Sequence, residues 1–203
     1  MSGFISQAES FQRLIASIVQ VPSLHARWIN TLSFLENCGA RKIAAYEHPT
    51  LVKEEILKHA AEEFRHAYHL KRQIAKITAD PFETYAQPLL LGGLRTIRYL
   101  DALEVQAARH SHYLYPLITY AIELRAQEVY TLYQEQLRAS SSKVSVKAIL
   151  LEEHEHLAEM TRAIESLPNG KVHAAQVCQI EGELCHRWLQ SIQIELGETL
   201  CKS

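Results

Sequence analysis

Apolar residues recur every three to four positions over long stretches of the chain, the spacing that lines one face of an α-helix. Strand-like alternation of apolar and polar residues persists nowhere, and only seven Gly and six Pro interrupt the pattern. The sequence therefore predicts an all-α protein. We expect helices at about residues 7–19, 23–47, 51–78, 89–109, 115–139, 144–167 and 172–200.

The order of these helices predicts a four-helix bundle within a single domain, residues 1–203. Its core helices are 23–47, 51–78, 115–139 and 144–167, and the helices at either end are additional. Segment 89–109 is predicted to be a long crossover helix, although Gly92 and Gly93 fall in its first turns. A crossover between the second and third core helices requires those two helices to run parallel.

The spacing Glu-x-x-His occurs three times, as Glu63/His66, Glu153/His156 and Glu183/His186. With 11 His among many Glu, chance gives about one such pair, so the helical face decides which pairs matter. The first two pairs lie on apolar stripes that must be buried, with Ile56, Ala60, Leu70, Ile149, Met160 and Ile164. The third lies among Gln176, Gln179 and Gln190, which indicates a solvated face.

Two more carboxylates, Glu36 and Glu123, lie on the apolar stripes of the other two core helices. An isolated buried carboxylate costs several kcal/mol or takes up a proton. Two divalent ions would balance four carboxylates, and two neutral imidazoles would complete the set. The predicted metal ligands are Glu36, Glu63, His66, Glu123, Glu153 and His156.

Other carboxylates and polar side chains lie close to these six residues in the sequence. Glu62, Glu128 and Glu152 are the nearest alternatives by position, but they lie off the apolar stripes. His59, one turn before Glu63, and Tyr130, two turns after Glu123, are expected to contact the ligands from outside. A donor set of carboxylates and imidazoles without thiolate suits iron, with manganese as the alternative.

Composition excludes several other classes. The net charge is −2 without a basic stripe, so neither nucleic acid nor a membrane is an expected partner. The N-terminus lacks a secretory pattern, no apolar run is long enough to span a membrane, and the four Cys form no Cys-x-x-Cys motif. We expect a cytoplasmic protein with reduced thiols.

The segments LENCGARKI, EEFRHA, AIELRAQEVY and LEEHEHL resemble the ligand helices of the ferritin-like superfamily of non-haem di-iron carboxylate proteins. The resemblance covers roughly residues 23–79 and 115–167. Ligand spacing and the crossover are similar to the aldehyde-deformylating oxygenases, which act on long-chain fatty aldehydes. In both, the third-helix Glu is followed by Ala and Tyr, here Ala126 and Tyr130. The ligands alone do not assign the chain to that subfamily.

The resemblance implies an oxidoreductase with two iron ions that uses O₂ to oxidise an organic small molecule, which the sequence does not identify. An electron-donor protein and a second copy in a homodimer are further candidate partners. Three alternatives stay open: a ferroxidase or iron-storage protein, peroxide disproportionation by manganese, and a metal-free structural bundle with a proton-sharing polar network.

Overall fold

The computed structural model describes residues 3–80 and 82–200. The α-helices of these residues are α1 (Ala8–Gln20), α2 (Pro22–Ala45), α3 (Glu54–Ile74), α4 (Gly93–Ile97), α5 (Tyr99–Ala107), α6 (Leu114–Ala139), α7 (Lys147–Ser166) and α8 (Gly170–Leu200). The described residues contain no strand, which confirms the predicted all-α class. Helices α2, α3, α6 and α7 correspond to the four predicted core helices. Each begins and ends within four residues of its predicted bounds.

The crossover differs from the single helix predicted at 89–109. A short 3₁₀ helix, Gln87–Leu89, is followed by α4 and α5 as separate pieces. Gly92 precedes α4 with a positive φ of 78°, a conformation that an α-helix does not contain. A Cβ at Gly92 would lie 3.0 Å from Trp188 Cδ1, so the chain turns here in close contact with α8. The chain therefore leaves the helical conformation at Gly92, before α4, and a second break at Arg98 separates α4 from α5.

Helices α2 and α3 pack along each other, as do α6 and α7. The Ser33 hydroxyl of α2 donates to the Ala67 carbonyl oxygen of α3, at 2.7 Å. Between the pairs, Lys58 Nζ lies 3.1 Å from Glu159 Oε1, so the start of α3 faces the second half of α7. The centre of the fold is thus enclosed by one helix pair facing the other.

The direction of α6 relative to α2 follows from two aromatic contacts. Tyr46, at the end of α2, lies near Tyr115, at the start of α6, with ring centroids 5.7 Å apart. Trp28, early in α2, contacts Tyr133, late in α6, at 6.2 Å. Both α3 and α6 therefore run antiparallel to α2, which makes them parallel to each other, as the crossover requires.

Helix α8 packs on α5, α6 and α7 and is fixed by buried contacts. The Trp188 ring stacks on Trp28 at 5.8 Å. Glu181, fully buried, accepts hydrogen bonds of 2.9 Å from both Nε and Nη2 of Arg125 on α6. The Tyr99 hydroxyl of α5 also donates to Glu181. This ionic network joins three helices.

The sequence predicts reduced thiols and no apolar run long enough to span a membrane. Cys38, Cys178 and Cys185 are free thiols, while Cys201 lies outside the described residues. Among the described residues, none of the helices combines the length and apolar character that crossing a bilayer requires.

Candidate metal centre

The structure brings all six predicted ligands together between the two helix pairs. Helix α2 supplies Glu36, α6 supplies Glu123, and α3 and α7 each supply one Glu and one His. Five of the six are buried, and the Glu36 side chain keeps 12% of its exposure. Glu183 and His186 of the third Glu-x-x-His pair are exposed on α8.

The buried donor atoms form two groups of four residues. One group contains Glu36, Glu63, His66 and Glu153, and the other contains His59, Glu63, Glu123 and His156. Within each group the donor atoms lie within 4.8 Å of one another, and Glu63 belongs to both. Each group could hold one metal ion, and the carboxylate of Glu63 lies between them.

Buried atoms at this centre lack hydrogen-bond partners, although buried polar groups are nearly always paired. They include the carboxylate oxygens Glu63 Oε1, Glu123 Oε2 and Glu153 Oε1. The Nδ1 atoms of His66 and His156 are also without a hydrogen bond. These atoms face the same interior space, which is the arrangement expected of ligands around cations.

The spacing of these atoms also fits metal ligands. His66 Nδ1 and Glu153 Oε1 are 3.0 Å apart, yet they are not aligned as donor and acceptor. Two ligands bound about 2.1 Å from one ion at right angles lie about 3.0 Å apart. The residues present therefore fit a pair of divalent ions.

The carboxylates show how much negative charge is confined here. Burial, followed by repulsion from Glu63, raises the pKa of Glu36 well above its usual range. Burial and repulsion from Glu123 do the same to the pKa of Glu153. Burial raises the pKa of Glu123 itself to about 8. The pKa of these three carboxyl groups therefore lies above the usual range, whereas contacts with His156 and His59, acting against burial, lower the pKa of Glu63 well below it.

The pKa of the His66 imidazole is also raised, but here burial acts against the shift. Burial alone would lower its pKa, but the neighbouring Glu153 and Glu36 carboxylates raise the pKa to about 12. The centre thus favours positive charge at its middle, which protons supply here and metal ions would supply more effectively.

His66 and His156 each contact a carboxylate of the opposite helix through the ring nitrogen that faces away from the centre. His66 Nε2 on α3 lies 2.8 Å from Glu152 Oε2 on α7, and His156 Nε2 on α7 lies 2.8 Å from Glu62 Oε2 on α3. An Nε2–H that donates to a carboxylate leaves Nδ1 free to bind a metal. Glu62 and Glu152 thus lie outside the two donor groups and contact their histidines.

The sequence contained a signal for this arrangement. The motif Glu-Glu-x-x-His occurs at 62–66 and again at 152–156, and only its second Glu and its His face inward. The first Glu of each motif lies off the apolar stripe, where it reaches the other helix. The pattern of a single helix does not predict the contacts of these two residues, because the partner of each Glu is on the other helix.

Tyr130 and His59 were both expected to contact the ligands from outside. The Tyr130 hydroxyl donates to Glu36 Oε1, which confirms that contact. His59 lies closer to the centre than expected, with Nε2 3.1 Å from Glu123 Oε1 and 3.4 Å from Glu63 Oε1. It therefore belongs to the inner donor set. Glu128, the third alternative, instead pairs with Arg125.

A cavity of about 120 Å³ adjoins the donor atoms between α2, α5 and α6. The carboxylates at its inner end belong to Glu36, Glu63, Glu123 and Glu153, and its walls are largely apolar, including Leu32, Leu35, Ile43, Ile122, Ala126 and Val129. At its rim, Lys42 Nζ lies 2.6 Å from Glu104 Oε2. The donor atoms thus border a narrow, mostly apolar space.

Comparisons with family models, with curated proteins and with solved structures give no match for this chain.

Proposed function

We propose that this protein is a ferritin-like four-helix bundle that binds two iron ions and oxidises an organic small molecule with O₂. The observation that carries the proposal is the set of buried carboxylate and imidazole atoms that converge without hydrogen bonds. Glu36, Glu63, His66, Glu123, Glu153 and His156 are the proposed ligands. Manganese is the alternative metal.

The arrangement of the helices supports the bundle. In ferritin-like di-metal proteins, two helices each supply one Glu and the other two each supply Glu-x-x-His. Here α2 and α6 supply the single carboxylates, while α3 and α7 supply the pairs. The parallel direction of α3 and α6 is also the one that a crossover connection imposes.

Each residue of the centre has a separate role in this proposal. Glu63, which belongs to both donor groups, would be shared by the two ions, and Glu36 and Glu123 would each hold one of them. Tyr130 orients Glu36 through its hydroxyl. A bound iron pair supplies the electrons for reduction of O₂ and hence the oxidising power for the substrate. An electron-donor protein is the proposed source of further electrons.

The cavity supports an apolar substrate or an apolar substrate portion. Its volume of about 120 Å³ is similar to that of engineered apolar cavities of about 150 Å³ that remain dry and bind benzene. Apolar walls beside four carboxylates exclude water from the oxidation site while leaving room for carbon atoms. The substrate portion that reaches the metals is accordingly narrow.

The proposal is tested by metal content and O₂ consumption together. We expect iron-loaded protein to contain about two ions per chain and to consume O₂ when reduced. Glu63→Ala should lose one or both ions because it removes the shared carboxylate. Glu183→Ala, which changes an exposed residue of the solvated Glu-x-x-His pair, should leave metal content and O₂ consumption unchanged.

Other results would favour the alternatives. Retention of two ions by Glu63→Ala would contradict the ligand assignment. O₂ consumption that merely deposits iron, in particles of about 24 chains, would indicate an iron-storage protein. Peroxide breakdown after manganese loading would indicate disproportionation, and less than one ion per chain after growth with ample iron would indicate a metal-free bundle.

A further inference from the structure

The two donor groups differ in composition. One group has three carboxylates and a single imidazole, from His66; we call it the carboxylate-rich position. The other has two carboxylates and the imidazoles of His59 and His156; we call it the imidazole-rich position. The imidazole-rich position has His59 where the carboxylate-rich position has a third carboxylate.

The repeated motif on α3 and α7 makes this difference specific to His59. The residue four positions before the inner Glu is His59 on α3 and Ile149 on α7. Both side chains are buried, at 2% and 1% exposure. The two halves of the centre are therefore alike in their Glu-Glu-x-x-His motifs and unlike at this position.

The surroundings of His59 support its role as a ligand. Its Nδ1 lies 3.2 Å from the Tyr115 hydroxyl, and its Nε2 points toward Glu63 and Glu123. Its ring lies 4.2 Å from the ring of His156, centroid to centroid. His59 Nε2 also lies within hydrogen-bond distance, 3.1 Å, of Glu123 Oε1, whereas the neighbouring Nδ1 of His156 is unpaired. With an Nδ1–H that donates to Tyr115, the Nε2 lone pair would instead be directed at the donor group and free to bind a metal.

We infer that His59 is a seventh ligand and makes the two metal positions chemically unequal, so that they select different divalent ions. This inference rests on the proposed metal centre. Imidazole suits later ions such as Co²⁺, whereas carboxylate suits Mn²⁺, and Co²⁺ binds nitrogen and oxygen donors more tightly than Mn²⁺. When one equivalent of each is present, Co²⁺ occupies the imidazole-rich position and Mn²⁺ remains for the carboxylate-rich one.

Site-resolved metal occupancy tests the inference. The full chain, freed of metal with a chelator, is loaded with one equivalent each of CoCl₂ and MnCl₂, without O₂, and crystallised. Anomalous diffraction is measured at both absorption edges. We expect the Co²⁺ signal beside His59 and the Mn²⁺ signal beside Glu36. Equal mixtures of the two ions at both positions would overturn the inference.

A variant separates ligation from hydrogen bonding. His59→Ile reproduces the residue found on α7 and should weaken Co²⁺ binding by at least about tenfold in a competition titration. His154→Gln, an exposed histidine of α7, should leave it unchanged. Unchanged Co²⁺ affinity in a folded His59→Ile protein would mean that His59 only donates to Glu123, which contradicts the inference. The diffraction result on the unaltered chain does not depend on this variant.

The outcomes distinguish this inference from the proposed function. If the ions separate but the iron-loaded protein consumes no O₂, the inequality stands and the proposed oxidation fails. If the protein oxidises a substrate while the ions mix at random, the oxidation stands and the inequality fails. If neither ion binds, both fail.

Discussion

At the scale of single residues, the centre depends on charged side chains that do not face it. Glu62 and Glu152 each hold the outer nitrogen of a histidine that belongs to the other helix. Glu152 also pairs with Arg65, and although burial raises its pKa, the His66 and Arg65 contacts lower it more, so the net pKa is lowered. It therefore remains an anion and keeps the His66 ring in the orientation that would leave Nδ1 free for a metal.

Glu152→Gln is expected to weaken metal binding although Glu152 is not a proposed ligand. The amide lacks the negative charge that holds the Nε2–H of His66, so affinity should fall roughly 10- to 100-fold. A competition titration with a chelator measures this change. Glu155→Gln, an exposed change on the same helix, is the matched control. Equal affinities of the two variants would show that the Glu152 contact does not support the metal ligand.

At the scale of helices, the sequence predicted the long elements well because each has an apolar stripe along most of its length. The crossover was predicted less well. Its apolar pattern continues through Gly92, but the positive φ there and the approach of Trp188 depend on α8, which is distant in the sequence. Local periodicity contains no information on that contact.

The same limit explains which site residues were predicted. The inward Glu and His residues interrupt apolar stripes and are visible from one helix alone. His59 also lies on such a stripe, but its membership in the inner donor group depends on Glu123 of another helix. Glu181 shows the same effect, since it lies on the buried stripe of α8 between Cys178 and Cys185, while its partner Arg125 is on α6.

The ion pair between α6 and α8 gives a prediction at this scale. Glu181→Gln should destabilise the protein by up to about 3–5 kcal/mol, because it removes the fully buried one of the two carboxylates that pair with the Arg125 guanidinium and leaves only Glu128. Urea unfolding of the metal-free chain measures the difference. Glu183→Gln, exposed two residues further along α8, should change the unfolding free energy by less than about 0.5 kcal/mol. Equal midpoints for both variants would contradict a structural role for the pair.

At the scale of the whole molecule, the cavity lies beside the donor atoms between α2, α5 and α6. Helix α5 lines one part of its wall, where Glu104 pairs with Lys42 of α2. Because the crossover is divided into short helices, the wall of the cavity is formed partly by α5, a helix of nine residues, rather than by one long helix.

Filling this cavity should separate substrate access from metal binding. Ala126→Leu places a larger apolar side chain on its wall and is expected to displace xenon, which binds in apolar cavities, while metal content stays at the wild-type level. Diffraction from xenon-pressurised crystals measures the first and elemental analysis the second. Ala158→Leu, exposed on α7, is the control. Undiminished xenon density beside residue 126 would contradict the placement of Ala126 in the wall of a cavity this small.

The reciprocal carboxylate–histidine contacts between α3 and α7 have a consequence for assembly. Each helix carries an inner histidine whose supporting carboxylate belongs to the other, so neither helix can complete a binding position alone. A slide of one helix by a single turn, about 5.4 Å, would separate both pairs at once. Metal ions that bind only the aligned form therefore stabilise the correct register, and the two helix pairs should melt as one cooperative unit once the ions are bound.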